Sequence, residues 1–494
     1  MNAPAVLVAL GRAVLGQEVS PEFPQQVRAL RQEVDRLGEQ VDALARSAGV
    51  DTAEPVTRLS IFHGYLPILV VAFFVTLIAT PLMRRLAVAY GIIDRPSEAR
   101  KVHRIPVAYL GGAAVFLGIA AGILYSYLSA ALPSLLDFHA THHEGELPGV
   151  HEHVPLSILM GITVIFLIGI ADDVTQISPR VKVGGQLLAA AALAIDNVGV
   201  KLAAGLLVPM ARGMGIPTSV HDGFETVFFS IPLPFPAFGY DAIPVNVIYW
   251  IGTAFIAIAV LGLCNASNLI DGLDGLLTGT TAISAAGLLV IALGLALVDD
   301  GPRDAQRIVL CLCLLGACLG FLPHNFNPAT IFLGDSGSML MGFMICVIVM
   351  TLGDTGKTHL VAAGLIVYAL PIMDMALAIV RRKLAGKPIS AADDQHLHHM
   401  LKRALGVKKA VFVLYAISAT FALIGAGVTL IRARSIYALG FFLFCFIGIY
   451  AIKIARLRHI EDEAASFDVK RETPPPAGAG GNGIHAAPTE PAKA

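Results

Sequence analysis

Four polar clusters interrupt an otherwise apolar chain, and their side chains are those of phosphate and metal chemistry. Asp172 and Asp173 stand side by side. Asn268, Asp271 and Asp274 recur at a spacing of three within Asn265-Ala-Ser-Asn-Leu-Ile-Asp-Gly-Leu-Asp-Gly275. Asp335 sits in Phe332-Leu-Gly-Asp-Ser-Gly337, and His396, His398 and His399 lie in a basic segment. Carboxylate oxygens suit Mg²⁺, which takes one or two carboxylates and draws other ligands from substrate phosphates. Lys and Arg supply countercharge to phosphoryl oxygens. Adjacent carboxylates raise the pKa of one member of the pair, which suits proton transfer. In a helix, the spacing of three would put Asn268, Asp271 and Asp274 on one face. The combination points to metal-assisted phosphoryl transfer. A transporter is the alternative, because polar breaks between apolar helices also build ion and substrate sites. Transporter sites lie near the middle of the bilayer, however, and these clusters fall in the connections between apolar runs.

The elements that must position these residues are membrane helices. The chain has 494 residues, 56% hydrophobic and 14% charged, against about 25% charged in soluble domains. Its net charge of −1 implies no nucleic-acid partner. Apolar runs near the ~20 residues needed to span a bilayer fall at 61–82, 108–132, 155–171, from 183 onward, 246–264, 276–298, 308–322, 338–352, 359–379, 410–431 and 437–454. The expected fold is an all-α polytopic membrane protein of about eleven transmembrane helices, with a kink at Pro371. The connection 84–104 carries six Lys or Arg and 381–409 carries eight, whereas the intervening connections on the other side carry none to two. The positive-inside rule then places the N-terminus outside, the C-terminus inside and all four clusters in cytoplasmic catalytic loops. Residues 61–455 form the membrane domain. Residues 1–60 are an extension in which Val27, Leu30, Val34, Leu37, Val41 and Leu44 follow a heptad pattern of under three heptads, which fits either a short self-associating coil, and with it a homodimer, or a helix that packs locally or frays. The tail 456–494, rich in Pro, Gly and Ala, reads as disordered. The His-rich connection 137–154 reads as surface. The six Cys lie in or beside apolar runs and read as small hydrophobes.

With these motifs assembled, the chain resembles the polyprenyl-phosphate N-acetylhexosamine-1-phosphate transferases. The resemblance rests on Asp94-Arg-Pro with Lys101-Val-His-Arg-Ile-Pro-Val-Ala-Tyr-Leu-Gly-Gly112, on Asp172-Asp173 with Ser178-Pro-Arg-Val-Lys182 and Gly185-Gln186, on the segments 265–275 and 332–337, and on His396-Leu-His-His399. It implies transfer of a sugar 1-phosphate from a UDP-N-acetylhexosamine to a membrane-embedded polyprenyl phosphate such as undecaprenyl phosphate, with release of UMP and a need for Mg²⁺ or Mn²⁺. It implies eleven helices with catalytic loops facing the cytoplasm of a cell inner membrane. It assigns metal binding to Asp335, with Asp271 in the metal or nucleotide shell. One of Asp172 and Asp173 would deprotonate or orient the lipid phosphate. Asn268 and, with less definition, Asp274 would position the nucleotide. Lys101 and His103 would meet phosphates. His396, His398 and His399 would hold the donor near its diphosphate, and His324 is a further substrate-binding candidate.

Within the family, the branch that uses UDP-N-acetylmuramoyl-pentapeptide typically has a contiguous His triplet. Here Leu397 separates His396 from His398, which turns the expectation toward UDP-N-acetylglucosamine, with other hexosamines open.

Overall fold

A computed structural model of the chain describes residues 57–94, 106–136, 138 and 153–430, apart from 222–223, 238–239, 299–302, 385, 387 and 389–395, together with Arg36. The heptad positions, the segment holding Lys101 and His103, most of the His-rich connection, the expected eleventh helix and the tail lie outside the described residues. The chain divides into two compact units, Met1–Ser60 and Ile61–Ala494, and the polar clusters all belong to the second.

The centre of the bundle is α9 (Gly334–Thr351), whose apolar residues face inward on every side, as expected of a helix surrounded by other helices. It packs on α2 (Gly111–Ala131), α3 (Leu156–Thr175) and α6 (Val247–Ile270). Small residues permit these approaches: a Cβ at Gly169 would strike the Ser336 backbone, and one at Gly112 would strike the Gly337 backbone. The neighbouring α7 (Leu276–Ala296) and α8 (Asp304–Asn325) are also largely buried. By contrast α1 (Arg58–Ala89), α3, α6 and α13 (Val407–Val428) expose apolar residues such as Phe74, Ile78, Leu167, Ile258 and Leu423. An apolar exterior of this kind fits contact with lipid tails. Where α8 begins and α9 ends, Arg303 pairs with buried Asp354 and donates to the Asp196 carbonyl (2.7 Å).

The helix count needs correction. Among the described residues, which hold ten of the eleven expected runs, eight helices are long and apolar enough to cross a membrane, or nine if a bent pair is one span. The expected fourth helix is two shorter ones, α4 (Pro179–Ile195, 17 residues) and α5 (Lys201–Gly213). At 1.5 Å per residue α4 is about 26 Å long, short of the ~30 Å hydrocarbon core. The 201–245 insert continues through two antiparallel hairpins, β3–β4 and β5–β6 (Ser219–His221 with Phe224–Thr226; Phe228–Ala237 with Tyr240–Asn246).

The ninth helix breaks. α10 (Thr358–Val367) and α11 (Ala369–Leu384) meet at 83°, one turn before Pro371. Proline lacks the N–H that would bond the carbonyl four residues back and crowds that carbonyl; the freed Val367 carbonyl accepts from Ser284 Oγ at 3.3 Å. The second helix starts at Gly111 rather than Ala108, because residues 107–109 are a strand. That strand, β2 (Val107–Tyr109), pairs antiparallel with β1 (Ile93–Asp94) and parallel with β7 (Ile331–Phe332), in register Tyr109↔Phe332. Gly112 N–H donates to the Leu333 carbonyl at 2.8 Å. This small sheet fixes the segment that leads into Asp335.

Candidate active site

Three of the acidic residues expected in loops are built into helix ends. Asp172 and Asp173 occupy the last turns of α3, and Asp335 the first turn of α9. Consecutive helical residues point about 100° apart, so the pair divides its partners. Asp173 turns to the start of α9. It accepts from Asp335 N–H (2.6 Å), Ser336 N–H (3.1 Å) and Ser336 Oγ (2.6 Å). The first turn of any helix leaves N–H groups unsatisfied and favours negative charge. α9 has no capping side chain at its own N-cap position, and Asp173 supplies one from 162 residues away. Gly334, at φ +74°, is the residue whose Cβ would collide with that carboxylate.

Asp172 turns the other way. Its carboxylate pairs with Lys182 Nζ at 2.8 Å, and the same ammonium bridges to Asp335 Oδ2. Asp335 Oδ1 accepts from Asn268 Nδ2 at 2.8 Å, and that nitrogen also reaches Ser338 Oγ at 2.9 Å. One turn after Lys182, fully buried Gln186 accepts from Asn265 Nδ2 at 3.0 Å, tying α4 to α6. The ends of α3 and α6 and the starts of α4 and α9 therefore meet at one end of the bundle. The side chains of Lys182, Asp172 and Asp335 are 20%, 16% and 29% exposed, so a ligand can reach them.

Asn268, Asp271 and Asp274 do not share a helical face. Asn268 closes α6, while 271–275 is a non-helical joint ending at Gly275, φ +77°. Asp274 accepts from Asn327 Nδ2 (2.9 Å) and Ala329 N–H (3.0 Å), holding the segment after α8. Asn325 reinforces the joint, accepting from Gly275 N–H (3.2 Å) and Thr278 Oγ1 (2.9 Å). The His324 carbonyl accepts from Thr330, and its Nε2 is buried with no hydrogen-bond partner among the described residues. Burial, then the charges of Asp335, Asp173 and Asp274, push the Asp271 carboxyl up to about 8. The Tyr109 phenol is raised by burial and then by the charges of Asp94, Asp271, Asp173 and Asp335.

The histidines gather at the start of α12 (Leu397–Leu405). Their ring centroids lie 5.5 Å (His396–His398), 6.2 Å (His396–His399) and 4.2 Å (His398–His399) apart. A Cβ at Gly272 would collide with His398 Nε2, so His398 abuts the joint carrying Asp271 and Asp274. Burial, followed by the neighbouring His398 and His396, lowers His399 to about 4, and it is neutral at neutral pH.

Three residues that sequence reasoning did not assign belong to this group. Lys182 lies within the quoted Ser178–Lys182 motif, but only folding reveals what it bridges. Tyr109 likewise lies inside a quoted motif. Asp374, on α11, accepts from Leu397 N–H (2.9 Å) and pairs with His396. Its signal was available: a lone acid inside the apolar run Leu370-Pro-Ile-Met-Asp-Met-Ala376, the kind of residue that membrane segments retain for function.

Among the described residues no group of three or more His, Cys, Asp or Glu side chains converges as a metal site. The donor chemistry nevertheless fits Mg²⁺ or Mn²⁺. The Lys182 ammonium, held between Asp172 and Asp335, is a stand-in cation on two carboxylate oxygens. Mg²⁺ binds through one or two carboxylates, with waters and substrate phosphates completing its shell. Asp335 and the nearby Asp271 are the residues suited to hold it.

Comparison with known proteins agrees with this chemistry. The model of glycosyl transferase family 4 matches residues 155–353, a range that contains Asp172, Asp173, Lys182, Asn268, Asp271 and Asp335. A probable undecaprenyl-phosphate N-acetylglucosaminyl 1-phosphate transferase of Bacillus subtilis is 31% identical over 364 residues, 72% of this chain and 83% of the relative. A decaprenyl-phosphate N-acetylglucosaminephosphotransferase of Mycobacterium tuberculosis is 32% identical over 359 residues, 70% of this chain and 77% of the relative. A phospho-N-acetylmuramoyl-pentapeptide-transferase of Staphylococcus aureus is 30% identical over 272 residues, 55% of this chain and 75% of the relative.

Proposed function

The chain belongs to the polyprenyl-phosphate N-acetylhexosamine-1-phosphate transferase family, and from that premise we propose that it transfers N-acetylglucosamine 1-phosphate from UDP-N-acetylglucosamine to undecaprenyl phosphate. Family membership makes it a phosphotransferase of the membrane, which sets the transporter alternative aside. The observation that carries the reading is the cluster Asp172–Lys182–Asp335–Asn268, an acidic cation site open to ligands at one end of a membrane bundle. The choice of sugar is supported by the interrupted His-x-His-His spacing. It is supported also by the two N-acetylglucosamine-named relatives above, which match 70% and 72% of the chain against 55% for the muramoyl-pentapeptide one.

In this mechanism Asp172 is the base. Asp173 is already engaged as the cap of α9, while Asp172 faces the open side of the cluster. Asp172 takes the proton of the polyprenyl phosphate, whose oxygen then attacks the β-phosphorus of the UDP-sugar. A new P–O bond forms, the bond from the β-phosphorus to the bridging oxygen breaks, and UMP leaves with that oxygen. Lys182 supplies countercharge to the lipid phosphate. Asn268 holds Asp335 in place, and His396, His398 and His399 meet the donor diphosphate. Asp335 and Asp271 would hold Mg²⁺ or Mn²⁺, which when bound neutralises diphosphate charge. Lys101 and His103 extend the phosphate contacts. The basic 84–104 and 381–409 connections orient this end toward the cytoplasm and the N-terminus outward.

The test is UMP release by purified protein with undecaprenyl phosphate and Mg²⁺, offering UDP-N-acetylglucosamine, UDP-N-acetylgalactosamine and UDP-N-acetylmuramoyl-pentapeptide separately. Release with the first donor alone, abolished by EDTA, is the expected result. Release only with the pentapeptide donor would overturn the choice of sugar, and no release from folded protein with any donor would overturn the reaction.

A further inference from the structure

We infer that Asp374 is a positioning residue for the donor diphosphate: it grips the inner edges of His396 and His398 so that their outer nitrogens face the nucleotide. The inference rests on the histidine role proposed above and adds the residue on which that role depends.

Asp374 is 2% exposed, and His396 and His398 are 4% and 2% exposed. Asp374 Oδ2 lies 3.0 Å from His396 Nδ1, a hydrogen bond. It lies 3.7 Å from His398 Nδ1, an ion-pair separation too long for a hydrogen bond. Oδ1 accepts Leu397 N–H at 2.9 Å, which fixes the backbone between the two histidines. Their rings are within 11° of parallel. Two near-parallel imidazoles that turn Nδ1 to one carboxylate must turn Nε2 away from it. For His398 that edge abuts Gly272, beside Asp271.

The chemistry follows from the carboxylate. An anionic acceptor keeps the proton on Nδ1 of His396, as in carboxylate–histidine pairs that orient metal ligands. With Nδ1 turned to the carboxylate, Nε2 is the edge of the ring left to meet a phosphoryl oxygen. Without Asp374, the two buried rings would lose the carboxylate that orients them. The break at Tyr368 redirects the chain between α10 and α11, the helix that carries Asp374.

The test compares wild type with Asp374→Asn, which keeps the shape but removes the charge. Binding of UDP is measured by calorimetry at fixed Mg²⁺, and KM is measured separately for UDP-sugar and for undecaprenyl phosphate. The expected result is at least tenfold weaker UDP binding and a matching rise in donor KM, with lipid KM within twofold of wild type. Asp374→Glu restores the charge and recovers part of the UDP affinity. Unchanged UDP affinity, or equal rises in both KM values, would overturn the inference. If Asp374→Asn does not accumulate as folded protein, Asp374→Glu is read alone. A displaced carboxylate must then weaken UDP binding while sparing lipid KM, and wild-type UDP binding would refute the role. Failure of wild type to release UMP would count against the proposed reaction instead, while the UDP titration would still judge Asp374.

Discussion

Replacing Lys182 with Met should tighten metal binding. The ammonium pairs with Asp172 at 2.8 Å and also bridges Asp335, so a metal ion approaching Asp335 must displace it. The bare Coulomb attraction at 2.8 Å is about 6 kcal/mol at an effective dielectric of ~20. These groups are 16–29% exposed, so water screens much of that attraction. Exposed ion pairs are worth ~0–1 kcal/mol, and breaking buried ones costs ~3–5. An intermediate value of about 1–2 kcal/mol is the reasonable scale here. Removing the competitor should therefore strengthen Mn²⁺ binding by about 5- to 30-fold. The assay is an electron-paramagnetic-resonance titration of Mn²⁺ into purified protein in detergent. UMP release should fall in the same variant, since the lipid phosphate loses a countercharge, and this opposition between tighter metal and slower turnover distinguishes displacement from general damage. Unchanged or weaker Mn²⁺ binding by folded Lys182→Met would refute the reasoning, because the ammonium would then not stand where the metal goes.

Other expectations separate the carboxylates. Asp172→Asn should lower UMP release by at least ~10²-fold, the range lost when one acid–base group is removed, and Asp335→Asn, which loses a metal carboxylate, by a comparable factor, both with little change in thermal unfolding; near-wild-type turnover in either would remove it from the mechanism. Asp173→Asn should also lower stability, because charged hydrogen bonds at the start of α9 are each worth about 1.5–3 kcal/mol, and an unchanged unfolding midpoint would argue against its role as a brace. Gly272→Ala should raise the UDP-sugar KM about tenfold or more, since the new methyl displaces His398 and small misplacements near a reacting centre are costly; an unaltered KM would detach His398 from the donor. The pH dependence has a definite sign. With the Asp271 carboxyl pushed up to about 8, the metal-free fold favours its protonated form, so the stability it contributes is present in acid and is lost as pH rises from about 4 through about 8. Metal needs the carboxylate, so apparent Mn²⁺ affinity should rise about tenfold per pH unit up to about 8 and then level; a flat profile between pH 6 and 8 would show that Asp271 is not a ligand.

The membrane class, the placement of most long helices and the four polar clusters were legible before folding. An apolar run of about 20 residues is a local property, and it declares a spanning helix without reference to any partner. The family motifs were legible for the same reason, being short and contiguous. What each motif residue faces was not. Asp173 finds its donors 162 and 163 residues away, Lys182 bridges to Asp335 across 153, and Asn268 reaches Asp335 across 67. The equal spacing of Asn268, Asp271 and Asp274 suggested a shared helical face, yet α6 ends at Ile270, and Asn268 and Asp274 go to different partners. The strand at 107–109 is too short to show a period of two, and it exists because β1 and β7 pair with it. Pro371 announced a bend, but neither its 83° size nor the Ser284 hydroxyl that meets the released Val367 carbonyl could be read from the local sequence. Local chain chemistry thus determined which segments enter the membrane and which residue types meet the substrates. Packing around α9 decided which carboxylate braces a helix and which stays open to react, because hydrogen bonds and charge pairs depend on distance in space.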